Sequence, residues 1–130
     1  MKRGKCFFSV FFVILSIIFL ASIANAAAIK GKVWEDKNCN GVKNPGEKGI
    51  AGVLLTLSPG GATTYTDNGG AYNFTSLGSG TYTVTETDPA GYCSTTPNSM
   101  TVIIAKGKDV SGVDFGDAKQ GISPPAGCCP

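Results

Sequence analysis

What most limits the fold of this chain is its punctuation. Past residue 26, short runs rich in β-branched and aromatic residues are broken every 8 to 12 residues by Gly, Asn, Asp and Pro. That is the cadence of strands and tight turns in a sandwich or barrel. No 11-residue window in this region carries apolar residues at helical spacing, so helices drop out of the reading. The clearest run is Thr81 to Thr87, where Tyr82 and Val84 alternate with Thr81, Thr83 and Thr85, the period-2 signature of a half-buried strand. Six further strands are predicted: Ala28 to Glu35, Gly52 to Ser58, Thr63 to Thr66, Ala71 to Thr75, Met100 to Ile104 and Val110 to Phe115. Asp67-Asn68-Gly69-Gly70 supplies the positive φ that a tight hairpin needs.

Seven short strands, each with one apolar face, can hide those faces only by stacking two sheets or closing one. The expected core is Trp34, Leu55, Leu57, Tyr72, Phe74, Tyr82, Val84, Val102, Ile104, Val113 and Phe115. Burying these eleven side chains would contribute roughly 15 to 30 kcal/mol gross, opposed by backbone ordering. A metal or a disulfide would therefore matter to net stability.

Residues 1–26 read as an export leader: Lys2, Arg3 and Lys5, then an apolar stretch from Phe7 to about Ile23, then Ala24-Asn25-Ala26. Residues 27–118 then form one domain, and residues 119–130 a Pro/Gly/Cys tail. Cys6 precedes the apolar stretch and so cannot be a lipid-attachment cysteine at the cleavage point. The expected product is secreted, extracellular, with the cell surface or a periplasm as possible destinations, and free of the membrane once the leader is cut.

Without the leader the charge is 8 basic minus 9 acidic residues, or −1. That excludes a nucleic-acid binder, which would concentrate basic residues on one face. The chain has no His, which removes the Ser/His and Cys/His couples and the usual proton shuttle. A carboxylate pair such as Asp114 and Asp117 has no partner base, so no enzyme is expected. Four cysteines remain, Cys39, Cys93, Cys128 and Cys129. In an exported small domain an even count suggests disulfides, with three connectivities open. The preferred arrangement clips the tail to the body through Cys39, Cys93 or both.

The segment that carries chemistry is Asp36-Lys37-Asn38-Cys39-Asn40-Gly41-Val42-Lys43-Asn44-Pro45-Gly46-Glu47. Counting Asp36 as position 1, oxygen-bearing side chains fall at 1, 3, 5, 9 and 12, with glycine at 6. Ca²⁺ takes six to eight hard oxygens, and a loop curling round it presents alternate residues inward. The expected ligands are Asp36, Asn38 and Asn40 by side chain, Val42 by its carbonyl, Asn44 directly or through water, and Glu47 as the closing carboxylate. Only Asp36 and Glu47 are charged, and Lys37, Lys43 and Lys48 stand nearby. Affinity should then fall near the ~10⁻⁴ to 10⁻³ M class of extracellular modules.

Ile29-Lys30-Gly31-Lys32-Val33-Trp34-Glu35-Asp36, Gly49-Ile50-Ala51-Gly52-Val53, Asp67 to Phe74, Gly80 to Glu86 and Val113-Asp114-Phe115-Gly116 together resemble the SdrD B-like domain. These are the calcium-binding B repeats of Gram-positive surface adhesins, a branch of the prealbumin-like Cna B-type sandwiches. The resemblance implies an all-β, seven-stranded prealbumin-like, Ig-like β-sandwich acting as a non-catalytic, calcium-stiffened module. It supports calcium on Asp36, Asn38, Asn40 and Glu47. The expected partner is an extracellular protein or another cell-surface molecule, and the expected state a monomer. The competing reading is a small extracellular carrier or a carbohydrate- or ligand-binding module, which would need a concave apolar patch. The resemblance also raises an isopeptide bond from Lys30 or Lys32 to Asp114, assisted by Glu86. Against it, Val33 and Trp34 stand closer to where the lysine is expected, and Glu86 and its neighbours are read as exposed strand charges.

Overall fold

The computed structural model describes residues 26–121 and Cys128. The expected leader, apart from Ala26, lies outside the described residues, as do residues 122–127, 129 and 130 of the tail. Eight strands follow in order: β1 (Ala27–Glu35), β2 (Leu54–Ser58), β3 (Ala62–Tyr65), β4 (Ala71–Leu77), β5 (Gly80–Thr87), β6 (Tyr92–Ser94), β7 (Ser99–Ile104) and β8 (Phe115–Lys119). They form two four-stranded sheets, ordered β4-β1-β8-β6 and β3-β2-β5-β7. The all-β sandwich is as expected, with eight strands where seven were predicted.

The extra strand is β6, three residues paired antiparallel to β8 with Cys93 opposite Ala118. It is too short to carry an alternating pattern, so only its partner reveals it. The last strand also differs: it begins at Phe115, where the sequence reading ended it. The segment predicted as that strand, Val110 to Phe115, instead runs irregularly beside the first half of β1. Lys30 N donates to Val110 O (2.8 Å) and Val113 N to Lys30 O (3.2 Å), and Gly112, at φ 80°, breaks the run. The chain then re-enters the sheet as β8, parallel to the second half of β1, with Val33 opposite Phe115 and Glu35 opposite Asp117.

Ile29, Val33, Val53, Leu55, Leu57, Tyr72, Phe74, Val84, Val102, Ile104, Val113 and Phe115 fill the space between the sheets. Ten of the eleven expected core residues are buried. Tyr82 is half-buried, because its hydroxyl reaches out to donate to the Gly78 carbonyl at 3.0 Å. Trp34 is buried but lies outside this cluster: by strand parity it sits on the opposite face of β1 from Val33, against Gly116. Gly31 lets the Val110–Val113 segment approach, since a Cβ there would collide with the Val113 carbonyl. Tyr72 marks the same junction from inside, its hydroxyl donating to Val113 O at 2.6 Å.

Candidate metal centre

The 36–47 loop starts where β1 stops. Asp36 N donates to Asp117 O on β8 (2.8 Å), which carries the β1–β8 ladder one residue further and leaves the Asp36 side chain fully buried. At the other end Glu35 N donates to Lys48 O (2.8 Å) and Trp34 bridges Gly49. The loop is therefore pinched at its base.

Its polar side chains turn inward. The Asp36 carboxylate accepts from Asn40 N (3.2 Å, Oδ1) and Gly41 N (2.7 Å, Oδ2). Gly41, at φ 70°, permits the turn that aims its N–H there. Asn38 Oδ1 accepts from Asn40 N (3.3 Å) and Asn40 Oδ1 from Val42 N (2.9 Å). The amides of Asn38 and Asn40 both donate to Asn44 Oδ1, at 3.1 and 2.9 Å. The buried Glu47 closes the ring: its Oε1 accepts from Lys37 N (3.1 Å) and its Oε2 from Asn44 N (2.7 Å).

The structure thus brings Asp36, Asn38, Asn40, Asn44 and Glu47 into one ring, with the Val42 side chain exposed outside it. The donor set fits a hard cation: two carboxylates and three carboxamides, with the Cys39 sulfur tied to Cys128. A half-turn of the Asn38 and Asn40 amides exchanges N for O toward Asn44. The Lys43 ammonium lies on the Glu47 carbonyl at 3.1 Å, a positive charge that opposes a cation.

A second acidic group escaped the sequence reading. Glu86, Asp88 and Asp117 bring carboxylate oxygens within 4.8 Å of one another. Glu86 is 3% exposed and Asp117 fully buried, so the expectation that Glu86 is an exposed strand charge is corrected. The signal was present: Tyr82, Val84 and Glu86 share one parity, and on a strand that parity faces the core. Among the described residues none of the four oxygens of Glu86 and Asp117 meets a donor, so a proton must serve. Loss of solvent raises the Glu86 pKa to about 9, helped by its hydrogen bond to Asp117 and by the charges of Asp117 and Asp88. Burial raises Asp117 as well.

Neither Lys30 nor Lys32 joins this pair. Both are exposed, Lys30 pairing with Asp109 at 2.8 Å, while Asp114 accepts from Lys32 N at 2.8 Å. The inward position of β1 opposite Phe115 is held by Val33, not by a lysine. An open cleft of about 710 Å³ along β1 and β4 is walled by Lys30, Lys32, Asn73 and Asp114 beside the exposed Tyr65. These polar groups share the cleft with Ala71 and Tyr72, and it lies open to solvent where a carrier's pocket would enclose its ligand.

The profile of the SdrD B-like domain matches residues 27–115. The chain belongs to that family. Serine-aspartate repeat-containing protein D of Staphylococcus aureus (strain Newman) is 45% identical over 85 residues, 62% of this chain and 6% of that protein. Serine-aspartate repeat-containing protein F of Staphylococcus epidermidis is 43% identical over 84 residues, again 62% of this chain and 5% of its own length. The chain thus spans about one-twentieth of these relatives.

Among solved structures, the minor pilin GBS52 of Streptococcus agalactiae superposes with a TM-score of 0.56 at 20% identity, covering 75% of this chain and 46% of that one. The shaft pilin SpaA of Lactobacillus rhamnosus GG gives 0.55 at 18%, covering 74% and 50%. At such identities the likeness is one of fold. Membership makes the chain a non-enzymatic structural module, an SdrD B-like domain.

Proposed function

We propose that this SdrD B-like domain is exported and works outside the cell as a calcium-braced structural unit. The carrying observation is the closed ring of Asp36, Asn38, Asn40, Asn44 and Glu47 at the end of β1. Calcium would replace the N–H groups now drawn to these oxygens, with the Val42 carbonyl as a further ligand. It would lock the long connection between the two sheets, β1 to β2, in one conformation. Two carboxylates, with Lys43 alongside, favour modest affinity, suited to millimolar extracellular calcium.

In this reading residues 1–26 are the leader, residues 27–118 the working domain and residues 119–130 a tail fastened to it. The partner is an extracellular protein or another cell-surface molecule, contacted by a monomer.

The test is thermal unfolding with 10 mM calcium against chelator. Binding in the ~10⁻⁴ to 10⁻³ M range adds about 1.4 to 2.7 kcal/mol at that concentration, and Asp36→Ala with Glu47→Ala removes the increment. An unchanged Tm on adding calcium defeats the proposal.

A further inference from the structure

We infer that the bridge between Cys39 and Cys128 positions the cation loop, so that calcium affinity depends on the oxidation state of this one cysteine pair. The inference rests on the calcium reading above and adds to it a residue pair outside the ligand set.

Cys39 is position 4 of the loop, between Asn38 and Asn40, with φ 58°. That left-handed conformation is unfavourable for a residue with a Cβ and persists where the surroundings enforce it. It is also the turn that lets Asn38 and Asn40, two residues apart, both address Asn44 Oδ1. The ends of the loop are held by backbone hydrogen bonds to β8 and Lys48. The middle differs: Asn38, Asn40, Val42 and Lys43 are all exposed, and Asn38, Asn40 and Val42 hydrogen-bond to one another and to Asp36 and Asn44 of the same loop.

Beside the hydrogen bonds of Asn40 N and Gly41 N to the buried Asp36, this middle is tied to the body by the disulfide to Cys128, 89 residues along the chain, with a Cα–Cα separation of 5.2 Å. Cys128 is buried in a satellite cluster with Cys93 on β6 and Ala118 on β8, against which Cys39 packs. The bridge therefore anchors the turn carrying two of the oxygen donors to the edge of the first sheet. Without it the turn must be ordered by the cation, and that ordering lowers apparent affinity.

Coupling of this kind is reciprocal. If the bridge strengthens calcium binding by a given factor, calcium resists reduction of the bridge by the same factor. The reductant is a dithiol. Its thiolate attacks one sulfur of the bridge and expels the other; its second thiolate then attacks the reductant sulfur of the mixed disulfide, expelling the remaining protein thiolate and closing a cyclic disulfide. Two electrons pass to the pair, the S–S bond breaks, and Cys39 and Cys128 each take up a proton. In an oxidising exterior the loop is set for calcium. A chain still reduced binds it poorly, so competence follows disulfide formation.

The experiment is calorimetric titration of calcium into the purified oxidised chain and into the Cys39→Ser/Cys128→Ser double variant, with far-UV circular dichroism confirming the fold of each. The expected result is a Kd about 5- to 100-fold weaker in the variant, the usual span of coupling between sites. Equal Kd values overturn the inference. Should the variant not fold, the wild-type chain decides: dithiothreitol with and without calcium, then alkylation and peptide mapping of Cys39 and Cys128. Calcium must lower the equilibrium fraction of this pair reduced, and no such protection overturns the inference. An oxidised chain giving no heat with calcium overturns the calcium reading itself, an outcome distinct from two forms that bind equally.

Discussion

Glu86→Gln at varied pH probes the least expected feature of the core. The native state keeps a proton on Glu86 up to about pH 9, against 4.5 for an ordinary glutamic acid. Between these values the native state binds more protons than the unfolded chain, so stability is fully present below about pH 4.5 and declines as pH rises toward 9. Each unit is worth about 1.4 kcal/mol. Raising the pH to 7.5 therefore removes at most about 4 kcal/mol, from a domain whose total is of order 5–15 kcal/mol. Even half of it displaces Tm by roughly 8–16 °C in a domain of this size.

The assay is thermal unfolding from pH 5 to 8 in chelator, so that the 36–47 loop makes no calcium contribution. The wild-type Tm should fall steadily across the range. Gln presents an N–H to Asp117 without titrating, so the Glu86→Gln profile should be markedly flatter and should lie above wild type at pH 8. A wild-type Tm that is level from pH 5 to 8, or an equally steep decline in the variant, would refute the shared-proton account.

Tyr72→Phe removes the donor to Val113 O, leaving a buried carbonyl without its 2.6 Å partner. It should cost about 1–3 kcal/mol in denaturant unfolding, because an orphaned buried acceptor loses its full solvation. Burial, then the nearby Asp114 and Glu86 charges, also pushes the Tyr72 pKa up, so its ultraviolet titration should fall above the ordinary tyrosine range. Intact mass of the leader-free chain should equal that of residues 27–130 less only the hydrogens lost to disulfides. A further deficit of one water would contradict the outward placement of Lys30 and Lys32.

The strands legible in advance were those whose evidence is local. In β5 the alternation of Tyr82 and Val84 with threonines is enough to define both strand and inner face. The 36–47 loop was equally open to reading, because its oxygens lie at fixed spacings within twelve consecutive residues. In the structure Asp36, Asn38, Asn40, Asn44 and Glu47 lie in one hydrogen-bonded ring.

Where the reading erred, the deciding contacts were distant. Val110 to Phe115 looks like a strand, but whether it joins the ladder depends on β1, some 80 residues earlier, and the ladder resumes only at Phe115. Three-residue β6 exists because β8 offers it an edge. Glu86 obeyed its strand's parity, and the general rule that carboxylates stay wet overrode that parity until Asp117 was placed across the core from it.

Backbone periodicity, turn residues and ligand spacing act over a few bonds, so composition and order alone determine an all-β chain with one oxygen-rich loop. Which strand closes the first sheet, which carboxyl groups share a proton and which cysteine holds the loop are matters of proximity between residues 30 to 90 positions apart. Only packing two sheets around a single core brings such residues into contact, and desolvation there alters their chemistry.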